Sequence, residues 1–179
     1  MKIIITKFFL LLVVLFSTTL LTAQYKPVDN GSSVQFKIKN FGINTGGSFS
    51  GLQGSILFDA AHPEKAVFDV SLNAASVNTG NDMRDNHLRE KTYFDSKQFP
   101  LIRIVSKSVT TKDGAFVLSG NLTMKGHTKE ISFPFTATQS GDGYLFKGSF
   151  TINRKDFEIG GTSTISNSLE VQLNILAKK

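Results

Sequence analysis

The amino-acid sequence predicts an all-β fold, an antiparallel barrel of about eight strands interrupted once by a short helix. Three observations carry this. Apolar and polar residues alternate with period two through most of the chain, as Val34, Phe36 and Ile38 do against Gln35, Lys37 and Lys39. Turn signals such as Asn30-Gly31, His62-Pro63, Asp113-Gly114 and Gly160-Gly161 separate the alternating runs. Two runs, residues 144–152 and 169–177, keep one apolar face over about nine residues.

The chain begins with a different grammar. Lys2 and Lys7 give a positive start, residues 8–16 are almost wholly apolar, and Ser17-Thr-Thr-Leu-Leu-Thr-Ala23 closes with small and polar residues. That is the pattern of a secretory signal peptide, residues 1–23, cut after Ala23 and leaving residues 24–179 as one domain. The alternative is an uncleaved membrane anchor, which Thr6, Lys7 and the Ser17-Thr18-Thr19 cluster disfavour. The chain has no Cys, so neither a lipid-bearing thiol nor a disulfide framework exists. Export without disulfides implies a bacterial periplasmic or secreted protein, held by its core.

After the leader the alternation runs almost unbroken. Strands are expected at 34–39, 47–49, 54–58, 68–73, 102–107, 115–124, 131–137, 144–152 and 169–177. Gly148 sits within a Phe-rich face, where it marks a bend or a close approach to the backbone. Residues 81–91 do not alternate. Asp82 is suited to cap a helix there, and Met83, His87 and Leu88 fall on one helical face. Strands with one apolar face each pack as a two-sheet sandwich or close as a barrel, and the long runs suit the barrel. A barrel of about eight strands has room for side chains or for one small ligand. Periodicity alone leaves open whether the interior is hollow or packed.

Composition narrows the function. Losing Lys2 and Lys7 lowers the formal charge from +6 to +4, and no Lys/Arg stripe forms, so nucleic acid is excluded as a partner. The mild basicity suits an anionic head group or a transient contact with a membrane surface. Sixteen Phe without any Trp supply bulky apolar surface with no polar atom to satisfy. No enzyme is expected. There is no Cys and no Gly-x-Ser-x-Gly element, and His62, His87 and His127 are far apart, so neither a nucleophile pair nor a metal site is legible. Arg84, Asp85 and His87 would form an acid–base cluster, but such residues in one short helix usually serve as caps and ion pairs. Asn121-Leu-Thr123 matches a glycosylation acceptor and is read as strand.

Chemistry concentrates in one stretch: Ser76-Val-Asn-Thr-Gly80, Arg84-Asp85-Asn-His87-Leu88, Tyr93-Phe94-Asp95 and Phe99-Pro100. Together with Ser33-Val-Gln-Phe36, Asn40-Phe-Gly42, Phe58-Asp59, Ser119-Gly-Asn-Leu-Thr-Met-Lys-Gly126 and Ile152-Asn-Arg154, this ordered set resembles the YceI-like, polyisoprenoid-binding secreted proteins over nearly all of the mature chain. Two departures stand out. Glu158-Ile-Gly160 occurs where a Gly directly after Phe157 is usual, and Asn40-Phe41 replaces a His-containing pair.

The resemblance implies an extended, lipocalin-like eight-stranded barrel around an apolar tunnel. It implies a long isoprenoid or fatty lipid as ligand, of the polyprenyl phosphate or isoprenoid quinone class, and no other cofactor. The expected tunnel residues are Phe36, Ile38, Phe68, Val70, Leu72, Ile102, Ile104, Phe133, Phe135, Phe146 and Phe150. The expected head-group residues are Asn78, Thr79, Arg84, Asp85 and His87, with Asp85 orienting Arg84. The rival function is a structural barrel without a dedicated ligand, and either a monomer or a homodimer fits. Intact-mass measurement on exported protein tests the leader: a chain beginning near Gln24 is expected, and a mass retaining residues 1–23 rules cleavage out.

Overall fold

The computed structural model describes residues 23–161 and 165–179; the expected leader, residues 1–23, lies outside them apart from Ala23. Ten strands occur among these residues, in the order β1 (Gln24–Pro27), β2 (Ser33–Asn40), β3 (Ile43–Phe49), β4 (Gln53–Leu57), β5 (Val67–Asn73), β6 (Leu101–Lys112), β7 (Ala115–Met124), β8 (His127–Ser140), β9 (Gly143–Asn153) and β10 (Ile165–Lys178). One α-helix, α1 (Asp82–Leu88), lies between β5 and β6. All pairings are antiparallel. The short strand β1 was not legible from alternation, because it has only four residues.

β10 closes the sheet. One edge pairs with β9 from Ser168 to Ala177. The other edge pairs with β2 from Ile165 to Asn174, and then with β1 through Ala177 and Lys178. Because β1 also pairs with β4, the circuit β1-β4-β5-β6-β7-β8-β9-β10 is a complete eight-stranded barrel. β2 and β3 continue β1 and β4 past a shared kink, so they form a hairpin that extends the wall. Asp29 holds that kink: its carboxylate accepts from the amides of Gly51 (3.0 Å) and Leu52 (2.9 Å).

Tight turns explain the register. Phe41-Gly42, Asp113-Gly114 and Lys125-Gly126 are two-residue loops with both φ values positive, the type I′ signature whose twist matches that of paired strands. β6 carries an extra residue between Ser106 and Ser108, and this bulge returns Val109 to the interior at 1% exposure. Gly148 marks a close approach, as its position in the Phe-rich face suggested. A Cβ there would lie 3.2 Å from the Phe133 ring, which stacks on Phe150 at 4.7 Å.

The interior is packed most densely at one end. Phe58, 1% exposed, is ringed by Phe68, Phe116, Phe135, Tyr144 and Phe146, each edge-on at centroid distances of 5.2–6.2 Å. It lies just beyond β4 rather than inside the strand expected at 54–58. From there it fills the barrel axis as an aromatic plug. Edge-to-face pairs add to the burial of each ring, so Phe58→Ala is expected to cost about 3–5 kcal/mol. Urea unfolding checks this; a loss under about 1 kcal/mol would show that the plug collapses without consequence.

Candidate ligand-binding cavity

A second apolar cluster, Leu122, Met124, Ile152, Phe157 and Ile159, packs the opposite end, with Tyr93 and Phe94 against it. Residues of both clusters bound a cavity of about 240 Å³. Its wall is almost wholly apolar. All eleven expected tunnel residues line it, from Phe36 and Ile38 on β2 to Phe146 and Phe150 on β9. Phe68, Phe135 and Phe146 do so as the face of the plug. Also on the wall are Phe49, Phe94, Leu118, Leu169, Val171 and Leu173, which the expected set left out. Except for Phe94, which lies in the turn segment after α1, their alternation is visible in the sequence, but only the pairing tells which phase points inward.

The cavity's polar end lies where the segment after β5 crosses the barrel. Ser48 and Asn78 exchange backbone hydrogen bonds (2.8 and 3.0 Å), fastening that segment to β3. Asn81, rather than the expected Asp82, caps α1 by accepting from the Arg84 amide at 3.0 Å. Asn81 holds the extended backbone that a cap requires, whereas Asp82 is already helical. Met83 is 83% exposed and Leu88 reaches the cavity, so the two do not share a buried face.

Thr79 and Arg84 line the cavity; Asn78, Asp85 and His87 do not. Arg84 donates from Nε to the Thr79 hydroxyl (2.7 Å) and from Nη2 to the Thr79 carbonyl (2.8 Å). That uses two of five guanidinium N–H donors. Asp85, 5% exposed, accepts from the Thr79 hydroxyl (2.5 Å) and amide (2.8 Å). It therefore orients Thr79, and reaches Arg84 only through that residue. Neighbours on a helix point about 100° apart, which denies Asp85 and Arg84 a direct fork. Asn78 spends its side-chain oxygen on the Gly80 amide (2.9 Å), as turn residues do. His87 faces outward against Glu90 (3.5 Å) and the edge of Tyr93 (4.8 Å).

Two arginines outside the expected set complete this end. Arg89 ties α1 to the preceding turn through the carbonyls of Ala75 (2.7 Å) and Val77 (3.0 Å). Arg154, 3% exposed, lines the cavity and donates to the carbonyls of Ile159 (2.6 Å), Gly160 (3.0 Å) and Ser166 (3.0 Å). Carbonyl partners leave no trace in side-chain sequence, so neither role was legible. The departure at Glu158 also gains a reason. Its φ is +52°, the left-handed region where Gly is unstrained, and its carbonyl accepts from Lys125 at 2.7 Å. Among the described residues no group of three or more His, Cys, Asp or Glu could hold a metal ion.

The Thr79 hydroxyl holds the Asp85 carboxyl below its usual range against the opposing effect of burial; the Thr79 amide and the charges of Arg89 and Arg84 add to it. A depressed folded pKa contributes stability above the unfolded value of about 3.9, lost as pH falls through the folded value. Asp85→Asn is therefore expected to be less stable than the wild type at about pH 7, and the gap to be narrower at about pH 3, below the unfolded value. Urea unfolding at both pH values measures it. Asp69 and Glu130 are also held low, by Arg103 and Lys107, but titrate alike in both proteins and cancel in the difference. A gap that does not change with pH overturns the assignment.

The YceI-like domain model matches residues 25–177. A UPF0312 protein of Pseudomonas savastanoi pv. phaseolicola is 34% identical over 149 residues, covering 79% of this chain and 78% of that one. A UPF0312 protein of Yersinia enterocolitica is 33% identical over 146 residues, 76% of each chain. Among solved structures, Burkholderia cenocepacia BcnA superposes with a TM-score of 0.77 at 25% identity, covering 82% of this chain and 96% of that one. The Campylobacter jejuni YCEI protein gives 0.67 at 29% identity, over 74% and 84% of the two chains. A polyisoprenoid binding domain from Saccharophagus degradans shares the fold at a TM-score of 0.68 and 16% identity, over 86% and 97%. With the barrel, its central helix and the matched span in agreement, this chain belongs to the YceI-like family.

Proposed function

We propose that the barrel binds a long amphipathic isoprenoid or related lipid, chain inward and polar end at Thr79 and Arg84, in a bacterial periplasm or exterior reached through the leader at residues 1–23. The observation that carries this reading is the cavity whose wall is apolar side chain on nearly every strand. The Saccharophagus degradans domain of the same fold is named for polyisoprenoid binding, which supports the ligand class. The same wall supports binding. A hydrocarbon gains about 0.8 kcal/mol per buried CH2, so ten carbons contribute on the order of 8 kcal/mol before the entropy of association.

Dimensions constrain the occupant. β10 has 14 residues, which at about 3.3 Å rise and a tilt near 40° span roughly 35 Å along the barrel axis. The cavity of about 240 Å³ is smaller than the roughly 300–1,000 Å³ of drug-sized pockets. A chain of many isoprene units therefore enters only as rings along the wall change rotamer. Phe49 sits at the interdigitated end between Phe36 (5.7 Å) and Phe94 (5.3 Å), well placed to give way.

Arg84 keeps Nη1 and one Nη2 hydrogen for a phosphate or quinone oxygen. Mass spectrometry of the lipid extracted from purified protein is expected to find an isoprenoid chain. Titration with a polyprenyl phosphate is expected to saturate, with Arg84→Ala, folded by circular dichroism, binding about tenfold more weakly. An extract free of lipid together with no saturable titration would favour the ligand-free structural barrel. Unchanged affinity in folded Arg84→Ala would assign Arg84 to supporting the mouth alone.

A further inference from the structure

The described residues include three large apolar side chains more than 70% exposed, and all three flank the mouth. Phe41 (77%) and Ile43 (71%) stand at the tip of the β2–β3 hairpin, and Met83 (83%) is on α1 beside Arg84. Ile38 and Thr45 of the hairpin line the same cavity as Thr79 and Arg84, so hairpin and helix border one opening. We propose that this rim seats the protein on the surface of an anionic lipid bilayer, with Phe41, Ile43 and Met83 entering the interface.

Charge favours that occupant. The hairpin from Ser33 to Phe49 contains Lys37 and Lys39 and no acidic residue. Both lysines alternate with inward Phe36 and Ile38, so they stand on the outer, exposed face, and neither makes an ion pair among the described residues. Lysines flanking a short apolar tip are the arrangement that anionic head groups attract. Asp82, exposed at the start of α1, and Glu90, exposed just past its end beside His87, oppose them.

The turn itself argues in the same direction. Phe41 holds φ +48° ahead of Gly42 at +79°, in a turn type that prefers Asn or Gly at its first position. A phenyl ring there is disfavoured twice, by its backbone and by water. An interface that takes up the ring offsets both. Lysine-flanked apolar side chains also place the mouth against the phase in which a long lipid resides. The inference concerns docking alone and holds whether or not the cavity is filled.

Cosedimentation of the protein beginning near Gln24, which holds all ten strands, with vesicles of phosphatidylcholine and of equal phosphatidylcholine and phosphatidylglycerol tests it. The wild type is expected to bind the phosphatidylglycerol vesicles more tightly. Phe41→Asn with Ile43→Thr, both suited to their backbone, is expected to reduce binding about tenfold. Lys37→Gln with Lys39→Gln should remove the preference for phosphatidylglycerol, and Val67→Thr, at the plug end, should change nothing. A wild type that stays in the supernatant, or a tip variant that sediments like the wild type, overturns the inference. So does a dimer in sedimentation equilibrium that the tip variant abolishes, which would assign the patch to a second copy of the chain.

Discussion

Everything in this structure depends on β10 being paired along both edges. With β9 on one side and β2 then β1 on the other, eight strands close into a tube, and β3 stays an edge strand fastened by the Ser48–Asn78 bridge. Register in such a tube is not free to drift. A slip of one residue along β10 would turn Leu169, Val171 and Leu173 outward and bring Ser168, Glu170, Gln172 and Asn174 inside. Placing the Glu170 carboxylate in an apolar interior would cost far more than any ladder hydrogen bond returns. The inward phase of one strand therefore dictates that of its neighbours.

That dependence explains what the sequence reveals and what it hides. Alternation is local, so nine of the ten strands and the helix can be read from residues within a few positions of one another. The Asp113-Gly114 and Lys125-Gly126 turns are equally local. Phase is global. The extra residue between Ser106 and Ser108 exchanges the faces of β6 partway along, and nothing in Ser-Lys-Ser announces it. Phe58 reads as the last residue of a strand, yet its role as a plug requires five rings from four other strands to converge on it. Even so, all eleven residues expected in the tunnel stand on the cavity wall, because Phe, Ile, Val and Leu on an alternating strand have one dry side to occupy.

The polar cluster after β5 was legible as a cluster, though not as a division of labour. Charged residues in one short helix have several partners within reach, and geometry alone selects among them. Asp85 is drawn inward to the Thr79 amide and hydroxyl, His87 is left at the surface, and Arg84 lies between. Much of the hydrogen-bonding capacity of this rim is committed to holding itself in place. Arg89 and Arg154 extend the pattern, each joining backbone carbonyls of segments that have no ladder of their own. A crossing segment with few ladder bonds needs such ties, since unpaired carbonyls near an apolar cavity are costly.

This distribution bears on how an amphipathic ligand would be oriented. Apolar burial has no direction, so the wall by itself favours a chain in either sense. The two ends differ in what they offer a polar group. At the plug, the rings around Phe58 and the adjoining Tyr25 contribute two hydroxyls, those of Tyr144 and Tyr25, and burial raises the pKa of Tyr144, keeping it neutral. At the other end Arg84 holds N–H donors not used by Thr79. A charged head group driven toward the plug would lose its water without replacement, a penalty several times larger than one surface ion pair provides. For such a ligand, exclusion at the plug would set the direction more strongly than attraction at Arg84. On the proposed reading the aromatic plug would act as the selective element, and the mouth would receive whichever polar group the plug refuses.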